Sequence, residues 1–336
     1  MQKDFHYYCI GILAYKAGFS QEDSLTIAHA SQYIDDSRAS KRHHFDDIAF
    51  EPARTSHVGL EAFKWNVQKK VYLPFHFLPE EATNAYNFSY KVKPLPELAI
   101  KLFKEAFTEP NKNFRLIRAG IALHTIADSY SHQGFSGIED SGNLIINIKQ
   151  KKKDGSWKDI KVSNFMPMIG HAQVLDIPDR PYLSWQFEYP EETLFDNVVE
   201  INNTERCMQA AEDIFNLLKS IAGNKSQEWD SFKDTLLELF SYHQKDLEKR
   251  CYNWQLKFNE IFKRPYDSSK WWNEMIPMWL TFQEWEKLRK DPNNHLCFPK
   301  RTNFGNANWV LFHKAAWIQR NFVLDHLPID DPVKIS

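Results

Sequence analysis

Glycine is scarce in this chain, 11 among 336 residues, and none falls into the spacing of a dinucleotide-binding or phosphate-cradling loop, which argues against a Rossmann or P-loop protein. Cysteine is scarcer still. Cys9, Cys207, Cys251 and Cys297 lie far apart without a Cys-x-x-Cys pair, so they read as buried thiols rather than zinc ligands or disulfide partners. Charge of one sign is missing too: 42 Lys plus Arg against 44 Asp plus Glu leave a formal net charge of -2. That balance disfavours electrostatic capture of duplex nucleic acid or an anionic membrane. No apolar run approaches the roughly 20 residues of a membrane helix, and no secretory core follows Met1-Gln2-Lys3-Asp4, so a cytoplasmic protein without a transmembrane segment is expected. Internal repeats and low-complexity segments are absent. So are the strings His-Asp, Glu-x-x-His and His-Glu-x-x-His, which removes the usual signatures of His-Asp phosphohydrolases, di-iron bundles and zinc proteases. Gly134-Phe135-Ser136-Gly137 lacks the spacing of a serine-hydrolase elbow.

What remains is 43% apolar and 15% aromatic residues with 26% charged ones, enough to bury a sizeable core in one large domain or two. Helical periodicity runs from Phe5 to Ala17, ending at Gly18, and again from Ser20 to Asp36. Pro94 to Glu109 and Asn111 to His132 read as two further helices, the second apolar on nearly every side and therefore central. Residues 39–54 and the Pro-broken stretch 71–79 read as loops. Alternation around Lys153-Asp154-Gly155 predicts a β-hairpin over 143–162, projecting from the helical body. Beyond residue 190, helices are expected over 204–222, 227–262 with a break, 269–289 and 307–327. Their tryptophans, Trp271, Trp272, Trp279, Trp285, Trp309 and Trp317, are read as packing residues. The fold class expected is mostly α, a multi-helix bundle with a small β-hairpin insertion: a metal-binding helical core over 1–190 and an aromatic-rich helical region over 191–336 packed upon it.

The segment richest in chemistry is Ala122-Leu123-His124-Thr125-Ile126-Ala127-Asp128-Ser129-Tyr130-Ser131-His132-Gln133-Gly134. His124, Asp128 and His132 are successive i, i+4 positions and share one helix face. A carboxylate between two imidazoles suits zinc and can bridge two ions; the plain alternative is a hydrogen-bonded polar face. Because the rest of this helix is apolar, the buried polar column needs an ion or a closed network. Nine of the 13 histidines lie at or before His171. Among them, His6 sits in Asp4-Phe5-His6-Tyr7-Tyr8 and His76 in an apolar, proline-bounded stretch. His171 is followed by Asp176 and Asp179. Asp35 and Asp36 close a helix at its negative end, where adjacent carboxylates call for a cation, either an ion or Arg38.

In this order the candidates resemble the zinc-dependent phospholipase C and single-strand nuclease superfamily, a mostly helical fold with a trinuclear zinc cluster. The resemblance covers about the first 180 residues. It implies metal ligation by His6, Asp35, His76, His124, Asp128, His132, His171 and Asp179, with Asp176 the alternative to the last, and two or three zinc ions or other divalent metals. Secreted members use the amino group of their first residue as a ligand; here Asp4 stands in for it or the third ion is missing. Three residues separate Asp128 from His132, where that superfamily has five with a proline. The chain also looks like an uncharacterised bacterial family sharing Asp-Phe-His-Tyr-Tyr and His-x-x-x-Asp-x-x-x-His-Gln-Gly-Phe. The function implied is hydrolysis of a small phosphate ester or lipid headgroup; Asp36, outside the ligand set, is the choice for general base, and Tyr7, Tyr130 and Gln133 are near enough in sequence to be outer hydrogen-bond donors or, equally, surface or packing residues. The alternative is a non-catalytic metal-binding scaffold or interaction protein. His243 and His295 are expected to take no part.

Overall fold

In the computed structural model the described residues are 1–38, 42–45, 48–57, 59–82, 89–160, 168–190, 198–223, 226–275, 297–298 and 303–328. His295, Trp279, Trp285, positions 161–162 of the expected hairpin and most of the helix expected over 269–289 lie outside them.

The chain begins with a π-helical stretch, Asp4–Cys9, that runs directly into α1 (Ile10–Ala17), which Gly18 ends with a left-handed φ of 111°. Ser20 then caps α2 (Gln21–Asp36), its hydroxyl accepting the Asp23 amide at 3.1 Å. Short strands β1 (His43–Phe45) and β2 (Ile48–Phe50) pair antiparallel where a loop was expected. The single helical turn α3 (Trp65–Val67) leads into a second π-helical stretch, Gln68–His76, with Pro74 inside it. Pro74 suggested a loop because proline removes an amide donor. The chain nevertheless stays helical to His76, and carbonyls of its last turn find side-chain donors: Gln319 Nε2 donates to that of Pro74 at 2.8 Å, and Thr125 Oγ1 to that of Phe75 at 3.0 Å.

Helix α4 (Glu97–Ala106) precedes α5 (Lys112–Ser131), which Asn111 caps through the Phe114 amide. Every residue of α5 from Ala119 to Ser131 is buried. Ala119, Leu123 and Ile126 face one apolar cluster, shared with α1, α4 and the later helices α6 (Asn203–Ala222), α7 (Lys233–Phe240) and α8 (Leu247–Lys257). Ile117 and Ile121 face another, built with Tyr33 and Ile34 of α2, Trp271 and Trp272 of the short α9 (Lys270–Asn273), and Trp309 and Phe312 of α10 (Asn308–His326). The tryptophans at 271, 272 and 309 thus pack helices, as expected. At Gly120 a side chain has no room: a Cβ there would stand 2.3 Å from the Ile27 carbonyl oxygen and 2.7 Å from Ala30 Cβ. That close crossing sets Asp35, at the end of α2, beside the His124 turn of α5.

The β-rich segment differs from expectation in extent. Strands β3 (Ile146–Lys151) and β4 (Trp157–Asp159) form the hairpin, with Gly155 at φ 83°. It does not project alone, because β5 (Ser184–Glu188) pairs antiparallel with the other edge of β3 and β6 (Val198–Asn202) with β5, giving the order β4-β3-β5-β6. Trp185 and Phe187 of β5 point inward with Ile148 and Val174 to form a third apolar cluster, which explains why the sheet closes over the hairpin's inner face. A second sheet has the order β2-β1-β7, where β7 (Cys297–Phe298) lies parallel to β1. The fold is therefore helix-rich with two small sheets. No described helix is long and apolar enough to cross a membrane.

Candidate metal centre

All eight of the side chains expected to hold metal converge at the inner face of α5. Three groups of ligand atoms form, each within 4.8 Å internally: His6, His124 and Asp128; Asp35, His76 and His124; and His132, His171 and Asp179. Asp128 links them. Its Oδ1 lies 3.1 Å from His6 Nε2, and its Oδ2 lies 3.1 Å from His76 Nδ1, 3.2 Å from His124 Nε2 and 3.8 Å from His132 Nδ1. Asp35 Oδ1 stands 3.9 Å from His76 Nδ1 and 3.8 Å from His124 Nε2. On the other side, Asp179 approaches His132 Nε2 at 3.3 Å and His171 Nε2 at 3.7 Å. Asp176, the alternative to Asp179, is instead held by Arg180 at 2.7 Å.

Both π-helical stretches supply candidates, His6 from the first and His76 from the second. The wider π turn lets one residue of an otherwise tight helix reach inward, a use common at functional sites. Backbone carbonyls then fix the rings. His76 Nε2 donates to the Thr55 carbonyl at 2.8 Å, His132 Nδ1 to that of His76 at 2.7 Å, and His171 Nδ1 to that of Leu175 at 2.6 Å. A carbonyl only accepts, so in each ring a proton sits on the carbonyl-facing nitrogen and the other nitrogen is the one turned toward the carboxylates. This is how outer hydrogen bonds orient metal-binding histidines.

The buried histidines differ in their electrostatics: burial opposes protonation of His76 as well, but the Asp128 and Asp35 carboxylates prevail and raise it. Burial pushes His6, His124 and His171 down to about 4, so they stay neutral near pH 7. Burial opposes ionisation of Asp128 and Asp179, but the positive charge of the Met1 amine and the neighbouring imidazoles outweigh it and hold both carboxyls well below the usual range. Asp35 and Asp36 are raised, chiefly by their enclosure. Two buried ring nitrogens of the cluster find no hydrogen-bond partner, His6 Nδ1 and His124 Nδ1. Orphaned buried donors and acceptors are costly, and the donor set, imidazole nitrogens with carboxylate oxygens, suits a divalent cation. The residues therefore fit a metal centre.

A model for the family described as "Family of unknown function (DUF6765)" matches residues 1–327. The chain belongs to this family. No curated protein and no solved structure matches it.

Some expectations for individual residues fail. Asp4 does not reach the centre; its carboxylate accepts Arg250 Nε at 2.6 Å in an ion pair that is almost fully buried. Beside the cluster lies the Met1 ammonium, which donates to Asp128 Oδ1 at 2.5 Å, Ser131 Oγ at 2.9 Å and Asp179 Oδ1 at 3.0 Å. Burial lowers the affinity of this amine for its proton, but the two carboxylates prevail and raise it to about 11. Tyr7 packs among Tyr8, Phe262 and Tyr266. Tyr130 donates to Asp213 of α6, and Gln133 is exposed, so none of these three serves the centre. His243 lies against Tyr182, away from it. Sequence reasoning missed Ser131, Thr55 and Tyr266, whose hydroxyl donates to Asp36 at 2.7 Å. Nothing in their local sequence marks them, since each acts through a contact made by the fold.

Leu175 carries strain for this site. It is 64% exposed and sits at φ 53°, ψ -123°, a region natural to glycine, while its carbonyl holds His171. Leu175→Gly is expected to raise stability by about 1 kcal/mol in denaturant titration while leaving metal content unchanged.

Proposed function

We propose that the protein is a zinc-dependent phosphoesterase binding two or three ions, its helical core built like that of the phospholipase C and single-strand nuclease superfamily. The convergence of three ligand groups along α5, two of them sharing His124 and with the Asp128 carboxylate within 3.2 Å of His6, His76 and His124, carries this reading. A single structural ion would need four ligands and a closed shell, whereas this cluster brings eight side chains together and leaves Asp35, 32% exposed, at an opening. Bound divalent ions supply Lewis acidity and make water acidic enough to react near neutral pH. The protein's own part is to hold His6, His124 and His171 neutral, aim ring nitrogens inward and keep Asp128 ionised. Asp36 belongs to none of the three groups and lines the opening beside Asp35, so it serves as the general base, oriented by the Tyr266 hydroxyl.

The test is elemental analysis of protein purified without chelator or nickel resin, followed by a phosphate-ester screen. Two or three ions per chain with turnover support the reading. No bound ion after zinc addition overturns it, and bound ions without turnover of any ester favour the metal-binding scaffold.

A further inference from the structure

The opening beside Asp35 is a cleft of about 460 Å³, in the lower half of the roughly 300–1,000 Å³ range of small-molecule sites. Such sites are usually lined by apolar and aromatic side chains. Here only Met1, Leu247 and the ring of Tyr266 offer apolar surface, and the remaining lining residues are polar or charged. An acyl chain would gain little by entering and would strip water from those groups. Two lining side chains carry unspent binding capacity. Gln32 is 5% exposed, and its Oε1 has no hydrogen-bond partner, which leaves a buried acceptor awaiting a donor. Arg38 is exposed at the rim and makes no ion pair among the described residues, whereas the other lining cation, Lys3, is taken by Glu248 at 2.5 Å.

Resting on the phosphoesterase reading, we propose that the substrate is a small phosphomonoester of a polyhydroxylated alcohol, with Arg38 receiving the phosphate and Gln32 accepting a hydroxyl of the leaving group. A terminal phosphate presents three free oxygens and nearly two charges, a better match for a planar guanidinium than the single charge of a diester. The aspartates at the rim, Asp35 and Asp36, add to that choice, since a long polyanion would meet them with its neighbouring phosphates. In the reaction a water oxygen bonds to phosphorus while the bond from phosphorus to the alcohol oxygen breaks. One water proton ends on that alcohol oxygen and the other stays with the phosphate, so alcohol and hydrogen phosphate are the products and no redox partner enters.

The experiment uses the full chain loaded with zinc. Glycerol 3-phosphate and glucose 6-phosphate are compared with phosphatidylcholine vesicles and a single-stranded oligonucleotide, and inorganic phosphate binding is followed by calorimetry. The monoesters are expected to be turned over with a kcat/KM on the order of a hundredfold above the other two. Arg38→Ala is expected to weaken phosphate binding about tenfold, with metal content and melting temperature unchanged and part of the loss restored in Arg38→Lys. Gln32→Leu should raise KM for the two sugar-like esters more than for phenyl phosphate, which has no hydroxyl to offer. Preference for vesicles or oligonucleotide, or phosphate binding indifferent to Arg38→Ala, overturns this inference and leaves the phosphoesterase reading standing. Absence of turnover on every ester with ions bound defeats both.

Discussion

If the proposed site of two or three ions is right, Asp128→Ala protein is expected to retain at most one of them and to lose on the order of a thousandfold or more in the proposed hydrolytic rate. The reason is geometric. One oxygen of this carboxylate faces His6 and the other faces His76 and His124, so its removal strips a negative ligand from two groups at once. His171→Ala touches only the group around Asp179 and should cost a single ion. Asp128→Asn preserves the shape of the side chain and separates loss of charge from collapse of packing, while His243→Ala is the control that leaves content unchanged. Elemental analysis with far-UV circular dichroism decides it; full metal content in Asp128→Ala would show the column on α5 to be a hydrogen-bonded support and no more.

The second large effect is expected at a residue outside the eight candidate ligands. Arg250, on α8, is 1% exposed and pairs with Asp4 at 2.6 Å; it also donates to Gln2 and to the carbonyls of Gln244 and Lys245. Arg250→Ala leaves a carboxylate buried without its counter-charge and should cost about 3–5 kcal/mol in chemical denaturation. The same contacts fasten the Gln2 to Asp4 segment, immediately before His6 and after the Met1 amine. Metal affinity should therefore fall along with stability, and Asp4→Asn, which keeps a hydrogen-bond acceptor, should be milder on both counts. A variant destabilised to this extent but binding metal at wild-type affinity would mean that Arg250 supports the fold alone.

The ligand candidates were legible in the sequence because the chemistry that selects them is local. His124, Asp128 and His132 declare a shared face by spacing, and the apolar residues between them declare its burial. The helices were legible for the same reason, from Ser20 and Asn111 as caps to Gly18 as a stop. What escaped depends on partners distant in the chain. Pro74 reads as a break, and the side chain that takes the carbonyl at the end of its helical turn, Gln319, stands 245 residues later. The alternation of Trp185 and Phe187 was a usable strand signal, yet nothing local to the hairpin says that β5 will cover its edge. Asp4 is acidic and near the start, as a ligand there would be, and only Arg250 reveals that its charge is already matched.

The two tethers have a consequence for the order in which the protein is made. Every side chain of the candidate centre lies within the first 179 residues, but the groups that fasten its two π-helical stretches stand at positions 250 and 319. A ribosome that has finished the ligands has not yet made their anchors. The nascent chain passes through a period in which its histidines and aspartates are present without the anchors at 250 and 319, and on the metal-binding reading the complete centre is expected only after Asn308–His326 has emerged and docked.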